Sequence, residues 1–121
     1  MDYKLELVTI PVADVDRAIA FYEQVGFNID HDHTVNEQMR FVQVTPPGSA
    51  CSIAFGTGLT TEPPGRGQLQ VVVDDADAAR AELAERGIDA GEVQEFPWGR
   101  FVFFNDPDGN GWAVQQIVRP S

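Results

Sequence analysis

"LVTIPVADVDRAIAFYEQVGF", residues 7–27, carries a strand, a helix cap, a helix and a glycine stop in one uninterrupted run. Val8, Ile10 and Val12 alternate as one face of a strand. Asp14 suits an N-cap, where its carboxylate accepts bonds from free amides of the first helical turn. Val15, Ala18, Ile19 and Tyr22 then recur at helical spacing, and Gly26 suits the left-handed position that ends a helix. The same order returns, without a gap, in "QLQVVVDDADAARAELAERGI", residues 68–88. Val12, Asp14, Asp16, Ala18, Ala20 and Gly26 of the first block meet Val73, Asp75, Asp77, Ala79, Ala81 and Gly87 of the second. The chain is an internal duplication.

Three short strand-like runs follow each helix. They fall at Phe27–His31, Arg40–Thr45 and Ser52–Phe55 in the first copy, and at Ala90–Glu95, Arg100–Asn105 and Trp112–Val118 in the second. The unit is therefore βαβββ, used twice, over residues 1–56 and 67–121. "GTGLTTEPPGRG" (56–67), rich in glycine and proline, reads as the linker. A half-chain of about 60 residues is marginal alone, so the two units are expected to pack as one domain.

Composition narrows the function. The chain has 121 residues, 43% of them hydrophobic, which suffices for an ordinary core. Nineteen acidic residues against eight basic ones give a formal charge of −11. Such a surface repels phosphate backbones and anionic lipids, so neither nucleic acid nor a membrane is expected as a partner, whereas cationic ligands are favoured. The opening "MDYKLELVTIPV" lacks the apolar region of a signal peptide. Cys51, alone and among apolar neighbours, reads as a buried thiol in a reducing cytoplasm.

The paired blocks, together with "FFNDPDGNGWAVQ" (103–115), resemble the vicinal oxygen chelate superfamily of glyoxalase I, bleomycin-resistance proteins and extradiol dioxygenases. The resemblance covers nearly the whole chain. It implies an α+β fold in which two tandem βαβββ units form an open, curled mixed sheet around a pocket, with the helices outside. It also implies a homodimer. Metal-dependent members hold a divalent ion through His, Gln and Glu side chains. At the matching positions this sequence has Leu7 in "LVTIPV", Gln68 in "QLQVVV" and Ala113 in the closing strand. A divalent centre takes about three nitrogen, carboxylate or thiolate donors. Leucine and alanine donate nothing, and one neutral glutamine does not hold an ion against water. No metal and no other cofactor is expected.

If those three positions mark the pocket face, strand alternation adds Thr9 and Pro11, Gln70 and Val72, and Gly111 and Gln115. Trp112 and Val114 then face the helices, and Phe104 reads as core. Trp98, in "FPWGR", reads as a loop tryptophan serving as ligand platform or dimer contact. Phe41, Phe55 and Phe103 are candidates for further aromatic wall. The expected ligand-binding set is Leu7, Thr9, Phe41, Phe55, Gln68, Gln70, Trp98, Phe103, Ala113 and Gln115. "HDH" (31–33) reads as a solvated polar hairpin whose histidines could reach the pocket rim, as could Glu37, Arg40 and Arg100. No nucleophile–base pair has a diagnostic spacing. The expected function is metal-independent binding of an aromatic or cationic small molecule in a dimer groove, of the bleomycin-resistance type. The alternatives are a glyoxalase-like lyase or isomerase with a shifted or absent metal site, and an accessory domain without a ligand.

Overall fold

A computed structural model describes residues 1–117. The first unit comprises β1 (Leu7–Thr9), α1 (Val15–Val25), β2 (Asn28–Asn36), β3 (Met39–Thr45) and β4 (Ser52–Thr57). The second comprises β5 (Gln68–Val73), α2 (Ala76–Glu85), β6 (Gln94–Phe96), β7 (Gly99–Asn105) and β8 (Gly111–Ile117). Two four-stranded mixed sheets result, ordered β1-β4-β3-β2 and β5-β8-β7-β6. In each, the first strand pairs in parallel with the fourth, and the remaining pairs are antiparallel. The repeat in the sequence is thus a repeat in topology.

The helix signals work as local chemistry requires. Asp14 Oδ1 accepts from the Arg17 amide at 3.0 Å and Asp75 Oδ1 from the Ala78 amide at 3.1 Å. Gly26 closes α1 at φ 101°, a left-handed geometry that β-carbon-bearing residues rarely adopt.

Three sequence expectations need correction. β2 continues to Asn36, held by its pairing with β3, so "HDH" lies within a strand and the hairpin turns at Glu37 and Gln38. β6 is shorter than expected and begins only at Gln94. Cys51 is half-buried, since it precedes β4 instead of lying within it. The expected strand end at Val118 lies outside the described residues.

Alternation sends one face of each sheet into a shared core. Ile10, Tyr22, Val42, Val44, Ile53 and Phe55 come from the first unit, and Val102, Phe104, Trp112 and Val114 from the second. Tyr22 touches both sets, with ring centroids 5.7 Å from Phe55 and 5.8 Å from Trp112. Its hydroxyl donates to Asp106 Oδ2 at 2.9 Å and accepts from Trp112 Nε1 at 3.0 Å. Burial, then the nearby Asp106 charge, pushes the phenol pKa far up, so it stays a donor. Asp106 also accepts from the amides of Asp108 and Asn110, both at 2.9 Å, and from Asn110 Nδ2 at 2.8 Å. Asn110 Nδ2 reaches back to the Pro11 carbonyl at 2.8 Å, while Asp108 Oδ1 takes the Ala13 amide and Arg17. The turn between β7 and β8 therefore grips the β1–α1 connection of the other unit.

Each unit also ties its third strand to its helix. Arg40 bridges Asp16 at the start of α1 and Asp32 on β2; Arg100 likewise bridges Asp77 at the start of α2 and Glu95 on β6. Both arginines thus lie on the helix side of their sheets, not at a pocket rim.

Tyr22→Phe should cost about 1–3 kcal/mol in urea denaturation, because it strands the buried Trp112 indole N–H and removes one of the two donors to Asp106 Oδ2, leaving Asn110 Nδ2 alone there. The hydrogen bonds of Arg40 and Arg100 hold the Asp32 and Asp77 carboxyls below their usual pKa. Their stabilisation is full above the unfolded carboxylate value of about 4 and disappears as pH falls through the lower folded values. Thermal midpoints of wild type and Asp32→Asn should therefore differ at neutral pH and converge in acid.

Candidate functional site

The sheet faces turned away from the core are where side chains remain available. On β5, Gln68, Gln70 and Val72 are exposed while Leu69, Val71 and Val73 turn inward. On β8, Trp112 and Val114 are buried, and Gly111, Ala113 and Gln115 turn outward. Pairing sets these residues in rows: Gln68, Gly111 and Asn105; Gln70, Ala113 and Phe103; Val72, Gln115 and Phe101. Large side chains on β5 and β7 flank small ones on β8. A cavity of about 420 Å³ lies over this strip, lined by Gln68, Gln70, Phe103, Asn105, Gly111 and Ala113 among others.

An aromatic array adjoins the cavity. Phe103, 41% exposed, stacks on Phe101 at 5.7 Å. Phe96 meets Phe101 edge-on at 5.5 Å and stacks on Trp98 at 5.5 Å. Trp98 sits in the tight β6–β7 turn and is 60% exposed. Four rings thus run from the turn to the cavity along one open face. Gln115 Nε2 donates to the Trp98 carbonyl at 3.0 Å, fixing the turn to β8.

The open face of the first sheet is more polar. Leu7 and Thr9 of β1 pair with Ser52 and Ala54, and Phe41 pairs with Gly56 on one side and His33 on the other. A β-bulge between Ile29 and His31 reverses the alternation of β2 and brings both histidines onto this face, stacked at 5.6 Å. Asp30, Thr45 and Ser52 form a hydrogen-bonded chain beside them. Bonds from Thr45 foremost, and from Asn28, lower the Asp30 pKa.

Of the ten expected ligand-binding residues, six share the second sheet's open face: Gln68, Gln70, Trp98, Phe103, Ala113 and Gln115. Leu7, Thr9 and Phe41 share the first sheet's, and no hydrogen bond or ring contact among the described residues joins the two groups. Phe55 does not belong to either. It is fully buried beside Tyr22, because the outward positions of β4 are Ser52, Ala54 and Gly56. The expected set omits Phe101 and Asn105, although alternation from Phe103 along β7 identifies both. It also omits His31 and His33, which alternation could not place because of the bulge.

The donor set does not suit the divalent ion that the resemblance associates with metal-dependent members. Leu7 and Ala113 offer no donor at two positions, and Gln68 is neutral. Among the described residues, no cluster of three or more His, Cys, Asp or Glu side chains could hold an ion elsewhere.

A βαβββ duplication with this sheet order matches known proteins. The sequence model of the Glyoxalase/Bleomycin resistance protein/Dioxygenase superfamily matches residues 4–114, and the chain belongs to that superfamily. The crystal structure of TnmS3, an antibiotic binding protein from Streptomyces sp. CB03234, is 36% identical. It superposes with a TM-score of 0.85 over 97% of this chain and 98% of that one. A glyoxalase/bleomycin resistance protein from the same organism is 37% identical, with a TM-score of 0.79 over 93% and 100% of the two chains. YetH of Bacillus subtilis (strain 168) is 26% identical over 113 residues, 90% of this chain and 94% of its own.

Exposure separates Trp98 from its neighbour Phe101. Trp98→Ala should leave the urea midpoint nearly unchanged, whereas Phe101→Ala, at a site 5% exposed, should cost about 3 kcal/mol or more.

Proposed function

We propose that this protein binds a planar aromatic small molecule without a metal, and sequesters it in a groove completed by a second copy of the chain. The observation that carries this reading is the continuous aromatic face from Trp98 to Phe103, opening onto a cavity floored by Gly111 and Ala113. Exposed stacked rings beside a neutral slot suit a flat, conjugated ligand. The likeness to an antibiotic binding protein along nearly the full chain supports the same reading, with an antibiotic as the natural class of ligand.

The second copy enters because each open face is half a pocket. The second sheet supplies rings and amides, and the first supplies Phe41, His31 and His33 on a separate face. β1 and β5 each leave an unpaired edge, and Met1, Tyr3 and Leu5 ahead of β1 are highly exposed. An arm in which Met1, Tyr3 and Leu5 alternate with the charged Asp2, Lys4 and Glu6, beside open sheet edges, is what a partner chain would cover.

Chelator-treated protein should keep the same thermal midpoint with Ni²⁺, Zn²⁺, Co²⁺, Mn²⁺ or Fe²⁺. Flat aromatic compounds should raise it, by about 2.7 kcal/mol of stability at a hundredfold excess over Kd. Trp98→Ala, and Ala113→Leu, which fills the floor, should each weaken that binding about tenfold or more. Sedimentation should give a dimer at micromolar concentration. A saturable shift with one metal ion, or a monomer that binds as tightly as wild type should, would overturn the corresponding part of the reading.

A further inference from the structure

The two glutamines beside the aromatic face form a directed chain of hydrogen bonds, and its direction specifies something about the ligand. The Trp98 carbonyl can only accept, so Gln115 must turn its Nε2 toward it, at 3.0 Å. Gln115 Oε1 then faces Gln70, which donates Nε2 to it at 2.5 Å. Both amide orientations follow from one backbone carbonyl. The chain ends on Gln70 Oε1, which has no partner among the described residues and stands at the cavity wall opposite Phe103, across Ala113. Consecutive amide bonds polarise one another, so this last oxygen is a stronger acceptor than an isolated glutamine.

We infer that Gln70 selects ligands bearing a hydrogen-bond donor, a neutral phenol or ring N–H, on the edge of the stacked aromatic system. This rests on the binding reading above and adds a chemical requirement to it. A ring lying against Phe103 presents its edge substituents to the opposite wall, where Gln70, directly across Ala113 from Phe103 and with Gln68 two positions before it on β5, can receive them. An ether or a phenolate at the same position offers no proton, and the phenolate also meets the negative end of the amide chain.

The test uses full-length protein and two matched pairs: umbelliferone and naphthol, each against its methyl ether. Binding is read by titration calorimetry and by the quenching of tryptophan emission that Trp98→Phe abolishes, Trp112 being buried. The wild type should bind each hydroxyl form about tenfold more tightly than its ether, the range of one hydrogen bond. Gln70→Leu, at an exposed position where folding is not at stake, should bind hydroxyl and ether alike. Gln115→Leu should reduce the preference by releasing Gln70 from its fixed orientation. Equal affinity for both forms in the wild type, or a preference that survives Gln70→Leu, would overturn this inference and leave the aromatic wall standing. Failure of all four compounds to bind would overturn the wall reading and this inference together.

Discussion

The structure depends on the buried carboxylate of Asp106. Four hydrogen bonds converge on it, from the Tyr22 hydroxyl, the Asn110 side chain and two amides of its own turn. A carboxylate removed from water must recover its hydration through such donors, and each donor must then be held in place. That requirement fixes the turn and, through Tyr22 and Asn110, its distance from β1 and α1. The two halves of the duplication are joined by this polar clamp as much as by apolar packing, because a slip between them would leave several buried groups unpaired at once. In the turn "DPDGN" both oxygens of Asp106 are engaged by the turn and Tyr22, and Oδ1 of Asp108 by Ala13 and Arg17, while Asp108 Oδ2 is buried without a hydrogen-bond partner among the described residues.

With the halves fixed, strand alternation divides each sheet into a structural and an available face. Trp112 and Val114 fill the core, so Gly111, Ala113 and Gln115 must point the other way. The available face then tolerates almost any side chain that keeps the strand, which is why one fold can hold either metal ligands or a smooth floor. Ala113 lacks a donor and also takes little space, and the same small side chain that withholds a ligand leaves a slot between Gln70 and Phe103.

The duplication, the caps and the alternation of the strands are legible in the sequence because each is a local rule. Asp14, Asp75 and Gly26 act on their own turns, and Gln68, Gln70, Ala113 and Gln115 follow from parity in strands without irregularity. Phe55 misleads because its chemistry suits a ligand wall, while its parity, shared with Ile53, sends it to the core. His31 and His33 are hidden for the opposite reason: one bulged residue at Asp30 exchanges the faces of β2, and nothing in "NIDHDHTVN" announces it. The pairing of Arg40 with Asp16, and of Arg100 with Asp77, is visible only when the repeat is laid on the structure. The Asp106 clamp escapes sequence reasoning altogether, since Tyr22 lies 84 positions away.

The electrostatics of the molecule separate approach from binding. The formal charge of −11 is carried on exposed positions such as Asp75, Asp77, Glu82 and Glu85, whereas the aromatic face and its cavity hold amides, rings and small side chains. The surface field raises the local concentration of cations and repels other acidic macromolecules. In the proposed role the neutral face would take up a flat apolar ring without stripping water from a charge, which would cost far more than the stacking returns. A ligand with a conjugated body and a peripheral ammonium would profit from both: the surface field would draw the cation in, and the rings would leave water on the neutral face. In that reading affinity and capture rate would be set by different residues, and substitutions in the acidic helices would change the rate without touching the slot.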